Sequence, residues 1–378
     1  VAVVGLGLMG AAALHALARR GADVLGFDPL AVGERRGSSH GSSRIYRRFN
    51  FETPAYTALI DRALAGWRAL AAQSGTEILR PCPVLEAGPP GSALVRGSRA
   101  AAAASGAGPG PVSGVHANAL YPALRLPDDW EVVQQDGGGI LLADRALRAF
   151  RAGAAGRIIP LQARIAPTPR GVRVITEGEE VLAERVIVAA GPWIVGLVPG
   201  LAPHLVVTRQ ALGWFAPARP QNLAPGELPV FLLDAPQGLV YGIPDFEGRG
   251  VKAGLHDHGP AVDADAWGPP PSDAELAPVR AALAALVPGA AGPVVERDVC
   301  LYVNTRPADV RPDAGGAFVI DRLPADPRII VASPCSGHGA KFAAAIGEIL
   351  ADLALDPACE PDPAFRLDRF SGFAAERA

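Results

Sequence analysis

The chain has 378 residues, of which 49% are hydrophobic and 19% charged, and its formal net charge is −3. This composition is globular and not disordered, and the absence of a basic bias argues against nucleic acid as the main partner. No apolar run approaches the roughly 18 residues of a membrane span, and the length allows two lobes.

The chain opens on a Val-rich strand, Val1–Val4, that enters Gly5 without a polar break. An Ala/Leu-rich helix is expected over Ala11–Arg19, ended by Gly21, and a second strand over Val24–Phe27 stops at Asp28. A strand opening at residue 1 leaves no room for a signal peptide in these numbers. Pro54–Ala72 reads as an amphipathic helix, with Tyr56, Leu59, Leu64, Trp67 and Leu70 at helical spacing. Gly88–Gly114 is rich in Gly, Ala, Ser and Pro and reads as loop.

Beyond Gly137 an alternately wound pattern is expected to resume. Asp144 caps a helix through Arg145–Ala154, and Arg157–Leu161, Val172–Thr176 and Arg185–Ala189 read as strands. Val206–Lys252 predicts an antiparallel layer of Leu212–Phe215, Val230–Leu233, Leu239–Ile243 and Gly250–Gly254. Near the end, a buried strand Ile329–Ala332 runs through the turn Ser336–Gly339 into a helix with Phe342, Ile346, Ile349, Leu350 and Leu353 on one face. The fold class is therefore α/β: a two-lobed chain in which a Rossmann-like lobe carries an inserted antiparallel-sheet lobe. The expected division gives 1–79, 137–204 and 309–378 to the cofactor lobe, and 80–136 and 205–308 to the substrate lobe.

Gly5, Gly7 and Gly10 form a GxGxxG between strand and helix. The first glycine permits the tight turn, the second lets backbone approach a pyrophosphate, and the third lets helix and strand pack closely. Asp28, about twenty residues on, suits ribose hydroxyls. The motif implies a dinucleotide without separating NAD from FAD. Cys82, Cys300, Cys335 and Cys359 lie far apart with no CxxC pair, which points to reduced thiols and a cytoplasmic protein. His256, Asp257 and His258 place two imidazoles on one face of a strand, but no third ligand accompanies them and no metal is expected.

The segment Gly37–Arg48 (GSSHGSSRIYRR) carries the more specific signal, with VIVAAGPW at Val186–Trp193, YGIPDFEGRGVKAGLH at Tyr241–His256, VCLY at Val299–Tyr302 and SGHGAKF at Ser336–Phe342. In this order the five stretches resemble the monomeric sarcosine oxidase and N-methyltryptophan oxidase family, of the D-amino-acid-oxidase-like flavoproteins. The match spans most of the chain, although Leu79 to Asp136 carries no matching motif. The resemblance implies FAD held by Gly5, Gly7, Met9, Gly10, Asp28, Ser38, His40, Ser43, Arg44, Ile165, Gly191, Trp193, Cys300, Tyr302, Gly337, His338, Gly339 and Lys341.

Within that set, Cys300 matches the cysteine that bears the flavin through a thioether to its 8α-methyl group. Lys252 matches the lysine that speeds reaction with oxygen, and Arg44 an arginine near the flavin ring. Arg47 and Lys341 match the pair that grips a substrate carboxylate, with Arg48 left to solvent or phosphate. Tyr241 and His256 match residues of the substrate side. Gly337–Gly339, at a helix start, implies N–H groups facing the flavin N1 and C2=O edge. The family chemistry implied is oxidation of a small secondary amino acid, N-methylated or cyclic, with O2 as acceptor and an imine and hydrogen peroxide as products. A pipecolate or cyclic-imine oxidase, an NAD(P)-dependent dehydrogenase and a non-catalytic flavin sensor stand as alternatives. A monomer that engages neither membrane nor nucleic acid is expected. Two departures from the family pattern touch the substrate side: a longer connection in the region 303–317, and Cys335 before the SGHG turn.

Overall fold

A computed structural model describes residues 1–53, 56–107, 112–154, 156–218, 222–256, 259–306, 318–370 and 373. Its first layer is a six-stranded sheet in the order Val319–Arg322, Ile329–Ser333, Val186–Val188, Ala2–Val4, Leu25–Phe27 and Ile158–Ile159. All neighbours run parallel except the first pair. Strands this short and apolar suit a sheet buried on both faces. Val3, Ile187 and Ile330 face a helical layer made by Leu8–Arg19, Tyr56–Ser74, Ala143–Ala152 and Ala343–Leu355. Val4, Val186, Val188 and Val331 alternate to the other face, beneath a three-stranded antiparallel sheet of Arg164–Thr168, Gly171–Ile175 and Glu180–Ala183.

The second large sheet has eight strands, in the order Val294–Thr305, Leu205–Phe215, Val251–Leu255, Gly238–Ile243, Val230–Ala235, Val84–Gly88, Glu131–Gln135 and Val112–Ser113. It is antiparallel except where Val230–Ala235 meets Val84–Gly88. One face packs Phe215, Phe231, Val251 and Ala253 against Leu276, Val279 and Leu283 of the helix Asp273–Leu286. Strand periodicity sends alternate residues the other way. The pairing register then puts Glu86, Tyr241, Lys252, Asp298, Cys300 and Tyr302 together on the opposite face. A small sheet of Arg44–Tyr46, Gly139–Leu141 and Leu79–Pro81 completes the set.

Three local expectations are corrected. The stretch expected to be loop contains the helix Ala93–Ala104, whose Leu94, Val95, Ser98, Ala101 and Ala102 are buried; a run of alanine favours helix strongly enough to override the surrounding glycine and proline. Val172–Thr176 does not join the wound sheet but sits in the separate antiparallel layer as Gly171–Ile175. Asp144 is the second residue of its helix and makes no capping bond; Leu142 precedes the helix, and the carboxylate instead sits in the first turn, where the helix dipole favours it. The long helix begins at Tyr56, and Pro54 lies outside the described residues.

Candidate active site

The Gly5–Gly10 turn has the tightness its spacing implies. Gly5 has φ +88°, and a Cβ there would lie 2.6 Å from Ala190 Cα. A Cβ on Gly10 would lie 1.8 Å from the Gly5 carbonyl oxygen, so neither position admits a side chain. Asp28 accepts the Leu6 and Leu30 N–H groups at 2.6 and 2.7 Å and Arg151 Nη2 at 3.1 Å. These bonds lock the second strand to the turn and use three of the roughly four acceptor sites of the carboxylate. Ser39 accepts the Leu8 N–H at 3.0 Å and so satisfies the first exposed donor of the helix.

The turn opens into a cavity of about 540 Å³. Its wall takes in Gly5, Gly7, Met9 and Asp28, then Ser38, His40 and Arg44, then Gly191 and Trp193, and finally Cys300, Tyr302, Gly337 and Gly339. Four of the five stretches that carried the resemblance thus meet in one space with the opening turn, and Tyr241–His256 does not line it. Ser39, Arg151, Gln162, Arg164, Ser333 and Cys335 also line it, although the motifs did not single out the first five for the cofactor. Ser43, His338 and Lys341 lie behind the wall, and Gly10 inside the turn. Ile165 lies elsewhere, in a second cavity of about 220 Å³, and its neighbours Ala163 and Arg164 face the first.

The polar groups along the wall are held by backbone. Arg44 donates to the carbonyls of Ser43, Ser38 and His40 at 2.8, 3.0 and 2.6 Å, which fixes its guanidinium. Ser38 Oγ donates to the Leu301 carbonyl at 2.5 Å, tying this segment to the Cys300 strand. His40 Nε2 lies 3.4 Å from Asp298 Oδ2. Burial alone would raise the Asp298 carboxyl, but His40, the Val299 N–H and Arg35 hold it below its ordinary range. Burial pushes the Cys300 thiol up, against the pull of the nearby Arg44 and Lys252 charges. Among the described residues, His40 Nδ1 and Ser333 Oγ are buried without a hydrogen-bond partner, and both residues line the cavity. Orphaned buried polar atoms call for a ligand with complementary groups. A glycine cradle at one part of the wall and unpaired polar atoms beside a thiol at another fit an extended dinucleotide such as FAD.

Lys252 is buried in the strand Val251–Leu255. Its ammonium donates to the Ser43 carbonyl at 3.0 Å and lies 5.2 Å from the centre of the Trp214 ring. Burial, with Arg44 adding repulsion, brings its pKa down to about 7. The SGHG turn bends through Ser336 and Gly337, with φ of +41° and +74°. A Cβ on Gly337 would lie 2.3 Å from Tyr302 and 2.8 Å from His256, so glycine is required there on two grounds. The N–H groups of His338 and Gly339 both donate to the Cys335 carbonyl at 3.0 Å. Two of the three amides expected to face the flavin are therefore engaged in the turn itself.

Behind the turn lies a buried charged cluster. Arg47 Nη1 donates to the Phe49 carbonyl at 2.9 Å and to Glu86 Oε1 at 3.3 Å, while Nη2 pairs with Glu52. Lys341 donates to the His338 carbonyl at 2.7 Å, and its own carbonyl accepts Trp67 Nε1 at 2.8 Å. Burial and the neighbouring Arg47 lower the Lys341 pKa to about 7, whereas burial raises Glu86 to about 7. Burial would raise Glu52 too, but Arg47, His338 and Lys341 hold it far below the carboxylate range. The two cations expected to grip a substrate thus already face two protein carboxylates, neither of which a motif identified. His256 bridges toward the cavity, with Phe51 at 6.4 Å and Tyr302 at 5.7 Å between ring centres, and Tyr241 projects from the same sheet face, opposite Gly254. Asp257, His258 and residues 307–317 of the longer connection lie outside the described residues. Cys335 Sγ accepts the Val303 N–H at 3.4 Å.

The family model for FAD dependent oxidoreductases matches residues 1–353. A monomeric sarcosine oxidase from Streptomyces avermitilis is 31% identical over 370 residues, covering 94% of this chain and 93% of that protein. An N-methyl-L-tryptophan oxidase from Yersinia pestis is 30% identical over 381 residues, covering 97% and 98%. Among solved structures, NikD, an unusual amino acid oxidase essential for nikkomycin biosynthesis, superposes with a TM-score of 0.80 at 22% identity, covering 96% of this chain and 95% of that one. Glycine oxidase from Geobacillus kaustophilus gives 0.74 at 19% identity, covering 93% of each chain. These likenesses show the two-lobed α/β fold and an FAD-dependent enzyme, and displace the NAD(P)-dependent alternative.

Proposed function

Since the chain belongs to the FAD-dependent oxidoreductase family and is an amine or amino-acid oxidase, we propose that it oxidises a small secondary amino acid, N-methylated or cyclic, to the imine. When bound, FAD supplies the acceptor for a hydride from the carbon next to nitrogen and passes both electrons to O2, which leaves as hydrogen peroxide. Arg47 and Lys341 hold the substrate carboxylate; a guanidinium fork with an ammonium suits an anion in an apolar surround. Tyr241, His256 and Tyr302 close the space around the reacting carbon. Lys252 supplies positive charge where oxygen takes up electrons, Arg44 adds fixed positive field, and Cys300 carries the cofactor covalently.

The observation that carries this reading is the convergence of Cys300, Arg44, Tyr302 and Gly337 with the Gly5 turn on one cavity. The domain division proposed with it gives 1–79, 137–204 and 309–378 to the cofactor lobe and 80–136 and 205–308 to the substrate lobe, with Cys300 and Tyr302 of the latter reaching the cofactor cavity and Arg47 and Lys341 of the former reaching the substrate. The test is oxygen uptake and peroxide release with a panel of N-methyl and cyclic amino acids, the parent primary amino acids serving as controls. Turnover confined to the secondary amines is expected. Turnover of primary amino acids alone, or of none, overturns the substrate assignment.

A further inference from the structure

Glu86 is a solitary carboxylate in the middle of the strand Val84–Gly88, every residue of which is buried, and it is itself 0% exposed. A lone acid in such a strand is costly unless it is held or neutralised. Its Oε1 faces Arg47 Nη1 at 3.3 Å, and its Oε2 accepts Gln135 Nε2 at 3.2 Å. Gln135 is fixed in turn, because its Oε1 accepts the Arg48 and Phe49 N–H groups at 2.6 and 2.9 Å. Ser98, from the helix Ala93–Ala104, lies beside the carboxyl; its buried hydroxyl favours the Glu86 anion and makes no other hydrogen bond among the described residues. The other charges on the packed elements are turned away or already paired. Arg99 pairs with Glu131 at 3.1 Å, Arg96 donates to the Gly91 carbonyl, and Asp234 accepts Ser92 at 2.7 Å.

Charge counting then sets a condition on the substrate. With all four groups ionised, Arg47 and Lys341 supply two positive charges and Glu52 and Glu86 two negative ones, so in that state the buried cluster is neutral before anything binds. A carboxylate that enters with its amine uncharged brings one uncompensated negative charge into a buried site, where an unpaired ion is strongly disfavoured. We propose that Glu86 is a specificity-determining residue of this site: a substrate carboxylate binds at the Arg47–Lys341 pair together with one proton, which Glu86 takes up. This rests on the reading of Arg47 and Lys341 as the carboxylate grip. Glu52 is the poorer acceptor of that proton, because Arg47, His338 and Lys341 all favour its anion. Burial, opposed by Arg47 and the adjacent Ser98 and reinforced by the Glu52 charge, raises Glu86 to about 7 and makes it the readier one. Lys341, also lowered to about 7, is the competing titrating group, and it predicts the opposite effect of mutation.

The experiment is a titration of the holoenzyme with acetate from pH 6 to 9, followed by the flavin absorbance, with acetamide as the uncharged control. In the parent protein acetate affinity falls about tenfold per pH unit above 7, the slope of one linked proton, while acetamide affinity stays level. Glu86→Gln keeps the shape and removes the charge. It binds acetate about as well as the parent at pH 6 and at least tenfold more tightly at pH 9. Equal slopes in the two proteins, or weaker acetate binding by Glu86→Gln at pH 9, as loss of support for the Lys341 charge would give, overturns the proposal. Proton uptake by the parent on acetate binding at pH 8, read by calorimetry in buffers of different ionisation enthalpy, provides a measurement that needs no variant; zero uptake is the contradicting result. Peroxide formation from secondary amino acids with no such linkage leaves the oxidase reading standing and removes this one. Intact linkage without any turnover does the reverse.

Discussion

Among the described residues, the buried Lys252 ammonium donates to the Ser43 carbonyl and hydroxyl and faces the Trp214 indole. Its buried charge costs stability. Its folded pKa is about 7, against the ordinary 10.5, so between those values the unfolded chain binds more protons and stability rises with pH. Lys252→Met should therefore stabilise the apoprotein at pH 7 by about 1–3 kcal/mol and flatten the rise toward pH 10. Urea unfolding across that range is the check; an unchanged slope would mean that Lys252 does not titrate as described. In the loaded enzyme the same change should slow reoxidation by O2 by two or more orders of magnitude while altering flavin reduction by substrate less than tenfold. Stopped-flow measurement of the two half-reactions separates them, and equal losses would remove the role in oxygen reactivity. Legibility at this scale was uneven. Arg44, Lys252 and Cys300 sat inside motifs, but Glu52 and Glu86 did not. Glu86 lies in the stretch from Leu79 to Asp136 that carries no matching motif, and the pairing of its strand on both sides buries it.

Elements whose start and stop chemistry is local were readable from sequence. The opening strand, its helix and the second strand follow from apolar periodicity and the glycine spacing, and the structure adds why Gly10 admits nothing larger. A Cβ at that position meets the Gly5 backbone and not a flexible side chain. Gly10→Ala is accordingly expected to abolish FAD retention and to lower stability by about 3 kcal/mol or more. Dialysis against free FAD and thermal unfolding of the apoprotein test the two effects. The helix Asp273–Leu286 was not anticipated, although Ser272 followed three residues later by Glu275 is a local start signal. The Ser272 hydroxyl accepts the Glu275 N–H and the Glu275 carboxylate accepts the Ser272 N–H, the reciprocal pair of a capping box. Ser272→Ala should cost about 1 kcal/mol in urea unfolding without changing flavin content. The helix Ala93–Ala104 was harder to read because its flanks are rich in glycine, proline and serine, which signal turns. Register is what no local pattern supplied. Strand periodicity shows which residues alternate, but the face that gathers Tyr241, Lys252, Cys300 and Tyr302 is set by pairing between strands as far apart as Leu205–Phe215 and Val294–Thr305.

At the scale of the whole molecule the two large sheets meet around the cofactor cavity. The segment Gly37–Arg48 is the hinge of that arrangement, since Ser38 and His40 reach the Cys300 strand and Ser43 receives Lys252, while Gly7 and Leu8 pack on Ser39. A bound FAD tethered at Cys300 would link the Gly5 turn of one sheet to a strand of the other, adding stability by binding the folded state alone. Loss of the tether should then be felt globally. Cys300→Ser is expected to retain some FAD but to melt several degrees lower than the parent holoenzyme, with the two proteins alike as apoproteins. The most direct measurement is the intact mass of the acid-denatured holoenzyme, followed by the mass of the peptide that contains Cys300. The expected result is a yellow precipitate carrying one FAD per chain, located on that peptide and absent from Cys300→Ser. A colourless precipitate of unmodified mass, with all flavin in the supernatant, would contradict the tether, and a chain that retains no flavin at any stage would contradict the account of the site.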